Sequence, residues 1–218
     1  MMNKLIKLIC FFRKFKALQI FTIYLRYLIG GSFVMAAIGM GKLSANPIPL
    51  ALAANKPIQD LEPIQLFFRV MAESGLYWNF IGWSQIIAGG LLMTQRFASL
   101  GAAMFFGIIL NIFVITVSYG FTGTPIVTGL MLLAVSFLLL WDIEKWQFLF
   151  RPYTNKNLTG PQPLQVIGKP FWEILGLVLF ILIITLYVLG YDIIIQMASC
   201  LLLGLIGFVL YFLLPKRD

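Results

Sequence analysis

Apolar runs of about 20 residues recur along the chain, separated by short polar, proline-bearing segments. A helix needs roughly that length to cross the hydrocarbon core of a bilayer. The runs predict six transmembrane helices, near Leu25–Lys42, Tyr77–Thr94, Phe97–Ser118, Thr124–Trp141, Phe171–Leu189 and Asp192–Leu214. Trp78, Trp141, Trp172 and Tyr191 fall near the expected ends, where interfacial aromatics belong. Two longer segments interrupt the runs. Residues 43–76 carry Pro47, Pro49, Pro57 and Pro63, then an apolar stretch Ile64–Met71 that predicts a short amphipathic helix under a loop. Residues 142–170 are polar and carry Pro152, Pro161, Pro163 and Pro170. The expected fold is all-α, a polytopic transmembrane bundle. A basic amphipathic segment covers 1–24, a four-helix unit 25–145, a cytoplasmic linker 146–170 and a transmembrane hairpin 171–218.

Composition strengthens this reading. Of 218 residues, 61% are hydrophobic and 11% charged, against roughly 25% charged in a soluble domain. That apolar excess is more than one soluble core can bury, which makes lipid the expected solvent. The net charge is +8 with no histidine. The cations sit in short segments beside the apolar runs, a placement that fits orientation in a membrane better than nucleic-acid binding. With both termini inside, the inner segments carry twelve cations: Lys4, Lys7, Arg13, Lys14, Lys16, Arg96, Lys145, Arg151, Lys156, Lys169, Lys216 and Arg217. The outer loops carry three, Lys42, Lys56 and Arg69. The basic start, MMNKLIKLICFFRKFK, reads either as an amphipathic segment on anionic lipids or as a plain orientation signal.

Polar groups at membrane depth are costly, so each needs a partner, a cavity or a route to the interface. Arg26, near the expected inner end of the first span, either snorkels to headgroups or pairs with an acid such as Asp142 or Glu173. Gln85 shares a helical face with Gly82 and Gly89, and small residues there allow close helix approach. It reads as a packing hydrogen bond or as one wall of a ligand pocket. Asn111, in a stripe with Gly107 and Ser118, lies near the same depth, and the two amides could meet if their helices are neighbours. Thr128 could join them. Lys42 faces a loop bearing Asp60, Glu62 and Glu73, where a salt bridge or a cationic rim for an anionic ligand is expected. Gln196 and Cys200 form a weak polar stripe read as packing. Cys10 and Cys200 sit at different expected depths, and no C-x-x-C is present, so thiol redox chemistry lacks its working part. No metal cluster or phosphate loop appears. Asn157-Leu158-Thr159 matches a glycosylation acceptor but falls on the expected inner side.

Three stretches resemble the DoxX-like family of membrane proteins. They are RYLIGGSFVMAAIGMGKL from Arg26, GWSQIIAGGLLMTQRFASLGA over 82–102, and GIILNIFVITVSYGFTGTP over 107–125, followed by a fourth helix ending at Leu140-Trp141-Asp142. The resemblance covers about residues 25–145. Many relatives carry glutamate where this chain has Gln85, which removes the group a proton relay would use. The resemblance implies a four-helix transmembrane unit in the bacterial plasma membrane. Some relatives are small subunits of quinone-linked sulfur oxidation, and others belong to redox or detoxification complexes.

The leading expectation is an accessory membrane subunit that associates with a redox or envelope partner and holds a quinone or lipid between its helices. Candidate ligand-binding residues are Gln85, Asn111, Thr128, Lys42 and Arg26. Two other classes stay open: a small-solute transporter or channel, and a quinone-linked oxidoreductase component. The chain offers few groups for acid–base catalysis on its own. After high-speed centrifugation the protein should stay with the membrane pellet and enter solution only with detergent; recovery from a detergent-free supernatant would overturn the reading.

Overall fold

The computed structural model describes residues 8–53, 56–146 and 170–213, and among these it is helical throughout, with no strand. The long helices are α1 (Lys16–Gly39), α4 (Leu76–Met93), α5 (Ala98–Ser118), α6 (Thr124–Trp141), α7 (Pro170–Val188) and α8 (Ile193–Leu213). Two shorter ones, α2 (Ile48–Ala53) and α3 (Pro63–Glu73), lie between α1 and α4. Residues 8–12 form a further helical turn before α1.

Five helices, α1, α5, α6, α7 and α8, are long and apolar enough to cross a membrane, and the chain is an integral membrane protein. Their outward faces are greasy: Val188, Ile194, Leu201 and Leu205 are all exposed on α7, α8 and the turn between them. The stretch expected as the second span forms α4, a helix of 18 residues. Tyr77, Asn79, Ser84 and Gln85 lower its apolarity, and it falls short of the other five by composition. Five of the six expected helix positions agree with the structure to within a residue or so. The exception is α1, which starts at Lys16 rather than near Leu25. Ala17–Leu25 contain no glycine or proline, so nothing stops the helix from propagating backward. Arg26 therefore lies well inside a 24-residue helix rather than at its end.

The core is a four-helix arrangement. α1 packs along α4, α4 along α5, and α5 along α6, while α7 and α8 pair with each other and rest on α1 and α4. Glycine makes the central approach possible. A Cβ on Gly89 would stand 2.6 Å from the carbonyl oxygen of Gly30, and one on Gly30 would stand 2.7 Å from that of Gly89. The backbones of α1 and α4 thus touch directly, the close packing that small residues permit where water supplies no hydrophobic drive between helices. Gly101 of α5 lies against the backbone of Ala88 and Leu92, and Gly176 of α7 against the carbonyl of Met93. Two apolar clusters fill the remaining space. One, around Ile23, Val34, Trp172 and Ile183, joins α1, α4 and α7. The other, around Phe33, Phe105, Ile109 and Leu138, joins α1, α5 and α6.

Three of the expected interfacial aromatics behave differently. Trp78, Trp141 and Trp172 lie near helix ends but are turned inward and buried, and only Tyr191 is exposed. The amphipathic helix expected at Ile64–Met71 is present as α3, with Pro63 at its first position and Glu62 and Gln65 closing a capping box. The polar linker from residue 147 to 169, including Asn157, Lys156 and Arg151, lies outside the described residues, as do Lys4, Lys7, Lys216 and Arg217.

The glycine contacts set up a matched comparison. Gly89→Ala should destabilise the protein by roughly 1–3 kcal/mol, because its methyl meets backbone rather than a movable side chain. Gly107→Ala meets nothing within 4 Å and should be neutral or stabilising by up to about 1 kcal/mol. Thermal unfolding in detergent should separate the two; equal effects would mean that α1 and α4 do not touch at Gly30 and Gly89.

Candidate functional site

Two polar clusters bridge the helices, one at the end of the bundle near Arg26 and one toward the opposite end near Lys42.

At the first, Arg26 is 0% exposed. It does not snorkel. Its Nη2 donates to Asp142 Oδ2 at 2.7 Å and its Nη1 to Gln95 Oε1 at 2.9 Å. Of the two acids considered as partners, Asp142 holds it. Asp142 is the residue that ends α6, and Gln95 sits in the turn between α4 and α5 with φ +58°. That left-handed conformation is costly for a side-chain-bearing residue, and here it presents the amide to the guanidinium. Ser99, in the first turn of α5, donates from Oγ to Asp142 Oδ2 at 3.0 Å, and Lys145 Nζ donates to Ser99 Oγ at 2.9 Å. Lys145 also lies 3.4 Å from Asp142 Oδ1. Burial pushes the Asp142 carboxyl up, but the neighbouring Arg26 and Lys145 outweigh it and hold the group below its usual range. Beside this cluster, Arg13 pairs with Glu144 at 2.6 Å and Cys10 Sγ donates to the same carboxylate at 2.8 Å. These contacts strap the segment before α1 to the 3₁₀ turn Ile143–Trp146 that follows α6. Three cations, Arg13, Arg26 and Lys145, share the two carboxylates of Asp142 and Glu144, and the arrangement works as a clamp on α1, α6 and the α4–α5 turn.

The second cluster is different. The sequence Met40-Gly41-Lys42 ends α1 in a Schellman motif: Gly41 N–H donates to Ile38 O and Lys42 N–H to Ala37 O, with Gly41 at φ +65°. This turn folds Lys42 back onto α4. Its Cβ lies against Gly82, where an added Cβ would meet it at 2.7 Å. Its Nζ donates to Gln85 Oε1 at 2.6 Å. Gln85 is one turn further into α4 than Gly82, about 14 Å from the start of that helix. The lysine side chain therefore runs toward the middle of the bundle, the reverse of snorkelling. Lys42 is 8% exposed, and its Nζ lies 5.3 Å from the ring centre of Trp78. Among the described residues no carboxylate pairs with it. The expected salt bridge to Asp60, Glu62 or Glu73 is not formed, and Glu73 pairs with Arg69 instead. Trp78 is 1% exposed, and its Nε1 is a buried donor with no partner. The negative end of the α1 dipole, the Gln85 oxygen and the indole face offset part of the cost of burying this cation.

The other sequence candidates go elsewhere. Gln85 and Asn111 do not meet: Asn111 lies on the exposed face of α5, with Gly107 and Ser118, because the face of α5 packed on α4 is that of Gly101, Ala102, Phe105 and Ile109. Thr128 bonds to Thr116, Oγ1 to Oγ1 at 3.1 Å, joining α5 and α6 rather than the amides. Gln196 donates to the Tyr191 carbonyl just before its own helix, and Cys200, half-buried, packs against the core. Sequence reasoning missed Trp78, Gln95 and Ser99. A left-handed Gln95 leaves no mark in a residue pattern, but Gly41 followed by a lysine was a readable Schellman signal for Lys42. No protein-family model matches the chain, and no curated protein or solved structure matches it.

The two clusters should answer mutation differently. Asp142→Ala leaves a buried guanidinium unpaired and should cost roughly 3–5 kcal/mol. The double variant Arg26→Leu/Asp142→Leu should lose clearly less than the sum of its single changes, as read by thermal unfolding in detergent; strict additivity would mean that the pair does not form. Lys42→Met removes a buried cation that has no carboxylate partner among the described residues, and in the same unfolding measurement it should leave stability unchanged or raise it; a loss as large as that of Asp142→Ala would overturn the contrast.

Proposed function

We propose that the chain is an accessory integral membrane subunit of the DoxX-like type, which holds a quinone or a lipid between its helices and assists a redox or envelope partner. The observation that carries this reading is the inward-pointing Lys42. A lysine at a helix end can reach water by extending outward, and placing it inside instead, on Gln85 and against Trp78, costs stability that a ligand would repay. The resemblance over residues 25–145 supports the type, and a core of α1, α4, α5 and α6 suits the four-helix unit that the resemblance implies.

In this reading α4 is the sixth span, with one face covered by α1, α5 and α7 and carrying the buried Gln85, and with Phe80, Trp83 and Ile87 exposed on its flank. The chain lies in the bacterial plasma membrane with both termini inside, as the distribution of cations supports. The Arg26 cluster is then cytoplasmic and the Lys42 cluster faces outward. The exposed Phe11, Phe12 and Phe15 beside Lys14 and Lys16 suit a segment resting on anionic lipids. The two-helix polar line that a transport path would use is not formed, since Asn111 turns away from Gln85. Electrons for any redox step would come from the partner, because the chain has no histidine and its two cysteines are far apart in sequence.

Extraction in mild detergent, followed by affinity purification and mass spectrometry, tests the reading. A co-purifying membrane or redox protein and a bound quinone or lipid are expected, with the bound molecule lost in Lys42→Met. A chain that always purifies alone and empty would overturn it.

A further inference from the structure

The Lys42 cluster carries more than a place for a ligand; its unused donors define what the ligand must offer. An ammonium has three N–H bonds. One goes to Gln85 Oε1. The Trp78 ring lies beside the group, and the indole N–H on that same ring is buried without an acceptor. The indole N–H groups of Trp141, Trp146 and Trp172 are likewise without an acceptor, and among the described residues Trp78 is the one of these whose ring lies beside a cation with no carboxylate. Among the described residues, a cation with no carboxylate lies 5.3 Å from the centre of a ring whose N–H has no acceptor. Gln85 Oε1 accepts from Lys42 and not from the Trp78 indole. The arrangement is rich in donors and short of acceptors, and it carries one uncompensated positive charge.

The surroundings fix the rest of the ligand. Leu43 is packed on Gly82 beside Lys42 and is exposed on its other side, and Trp83, the neighbour of Gly82, is exposed on the flank of α4. An apolar surface thus begins where the donors end. We propose that Lys42 Nζ and Trp78 Nε1 together bind the oxyanionic headgroup of an acidic amphiphile, a carboxylate or a phosphodiester, with its acyl chain lying along Leu43 and Trp83. The inference rests on the reading that this site holds a ligand and narrows it. A quinone carbonyl could accept one hydrogen bond but leaves the charge uncompensated, whereas an oxyanion accepts from both donors and neutralises the lysine, as charge-assisted hydrogen bonds do.

The test is titration of the full-length, delipidated protein in neutral detergent, read by native mass spectrometry. The probes are palmitate, phosphatidylglycerol, phosphatidylcholine and decylubiquinone. Wild type should bind palmitate, phosphatidylglycerol or both at one site, and phosphatidylcholine and decylubiquinone much more weakly. Binding of palmitate alone assigns the carboxylate as the source, and of phosphatidylglycerol alone the phosphodiester. Lys42→Met should weaken the acid by about ten-fold or more, and Trp78→Phe, which keeps the ring but removes the N–H, by about three- to ten-fold. Lys42→Arg, which keeps the charge, should retain most of the binding and controls for loss of fold. Equal binding by wild type and Lys42→Met would overturn the proposal. Decylubiquinone bound in place of either acid would leave the ligand site standing and overturn its oxyanionic character. No binding of any probe would overturn both.

Discussion

A guanidinium that no water reaches must be satisfied by the protein around it, and Arg26 sets that condition for the whole bundle. It projects from within α1, so the helix cannot slide or rotate without tearing its head from Asp142 and Gln95. Asp142 in turn fixes where α6 ends, Ser99 fixes the start of α5, and Gln95 holds the turn between α4 and α5 in a conformation that its own backbone disfavours. Four helices are thereby registered by one side chain. In lipid, where apolar contacts between helices gain little over contacts with acyl chains, a polar clamp of this kind supplies the specificity that burial supplies in a soluble core.

Glycine supplies the proximity. The contact of Gly30 with Gly89, and of Gly101 with α4, lets backbones approach until side chains on either side interlock. The same face of α4 that carries Gly89 carries Gln85 and Gly82, so the surface that brings the helices together also receives Lys42. Packing and site are consequences of one stripe. The small residues at 82 and 89 clear the space, and the single long polar residue between them marks where a second polar group must enter.

Much of this was legible in the residue pattern. Six long helices, the short α3 and the closeness of the Gly82–Gln85–Gly89 face all follow from apolar length, proline placement and small-residue spacing. What the pattern could not show was direction. Asn111 and Gln85 share a depth, but depth is a property of position along a helix, whereas contact depends on which way each helix is turned, and α5 uses its Gly101–Phe105 face against α4. The tryptophans at helix ends carry the composition of an interfacial belt, yet Tyr24 of α1 and Tyr211 of α8 cover Trp172, and Trp78 is covered beside Lys42. The start of α1 was misjudged for a related reason. Charge density suggests a separate basic segment, but between Lys16 and Leu25 the chain has no breaker on which the helix could stop.

The contrast between Arg26 and Lys42 separates support from function. Both are cations held inside the bundle. Arg26 has a carboxylate paired with it directly and an amide beside it, so its charge is met within the bundle even though its Nε finds no acceptor among the described residues. Lys42 has an amide oxygen, an aromatic face and a helix end, all of which favour the charge without cancelling it. Evolution of a merely structural lysine would have two cheap exits: extension to the headgroups, or replacement by an aliphatic residue against Gly82. The Schellman turn at Met40–Lys42 forecloses the first by folding the side chain inward. A buried, underpaired cation maintained by a dedicated backbone turn is the signature of a group that waits for its counter-charge.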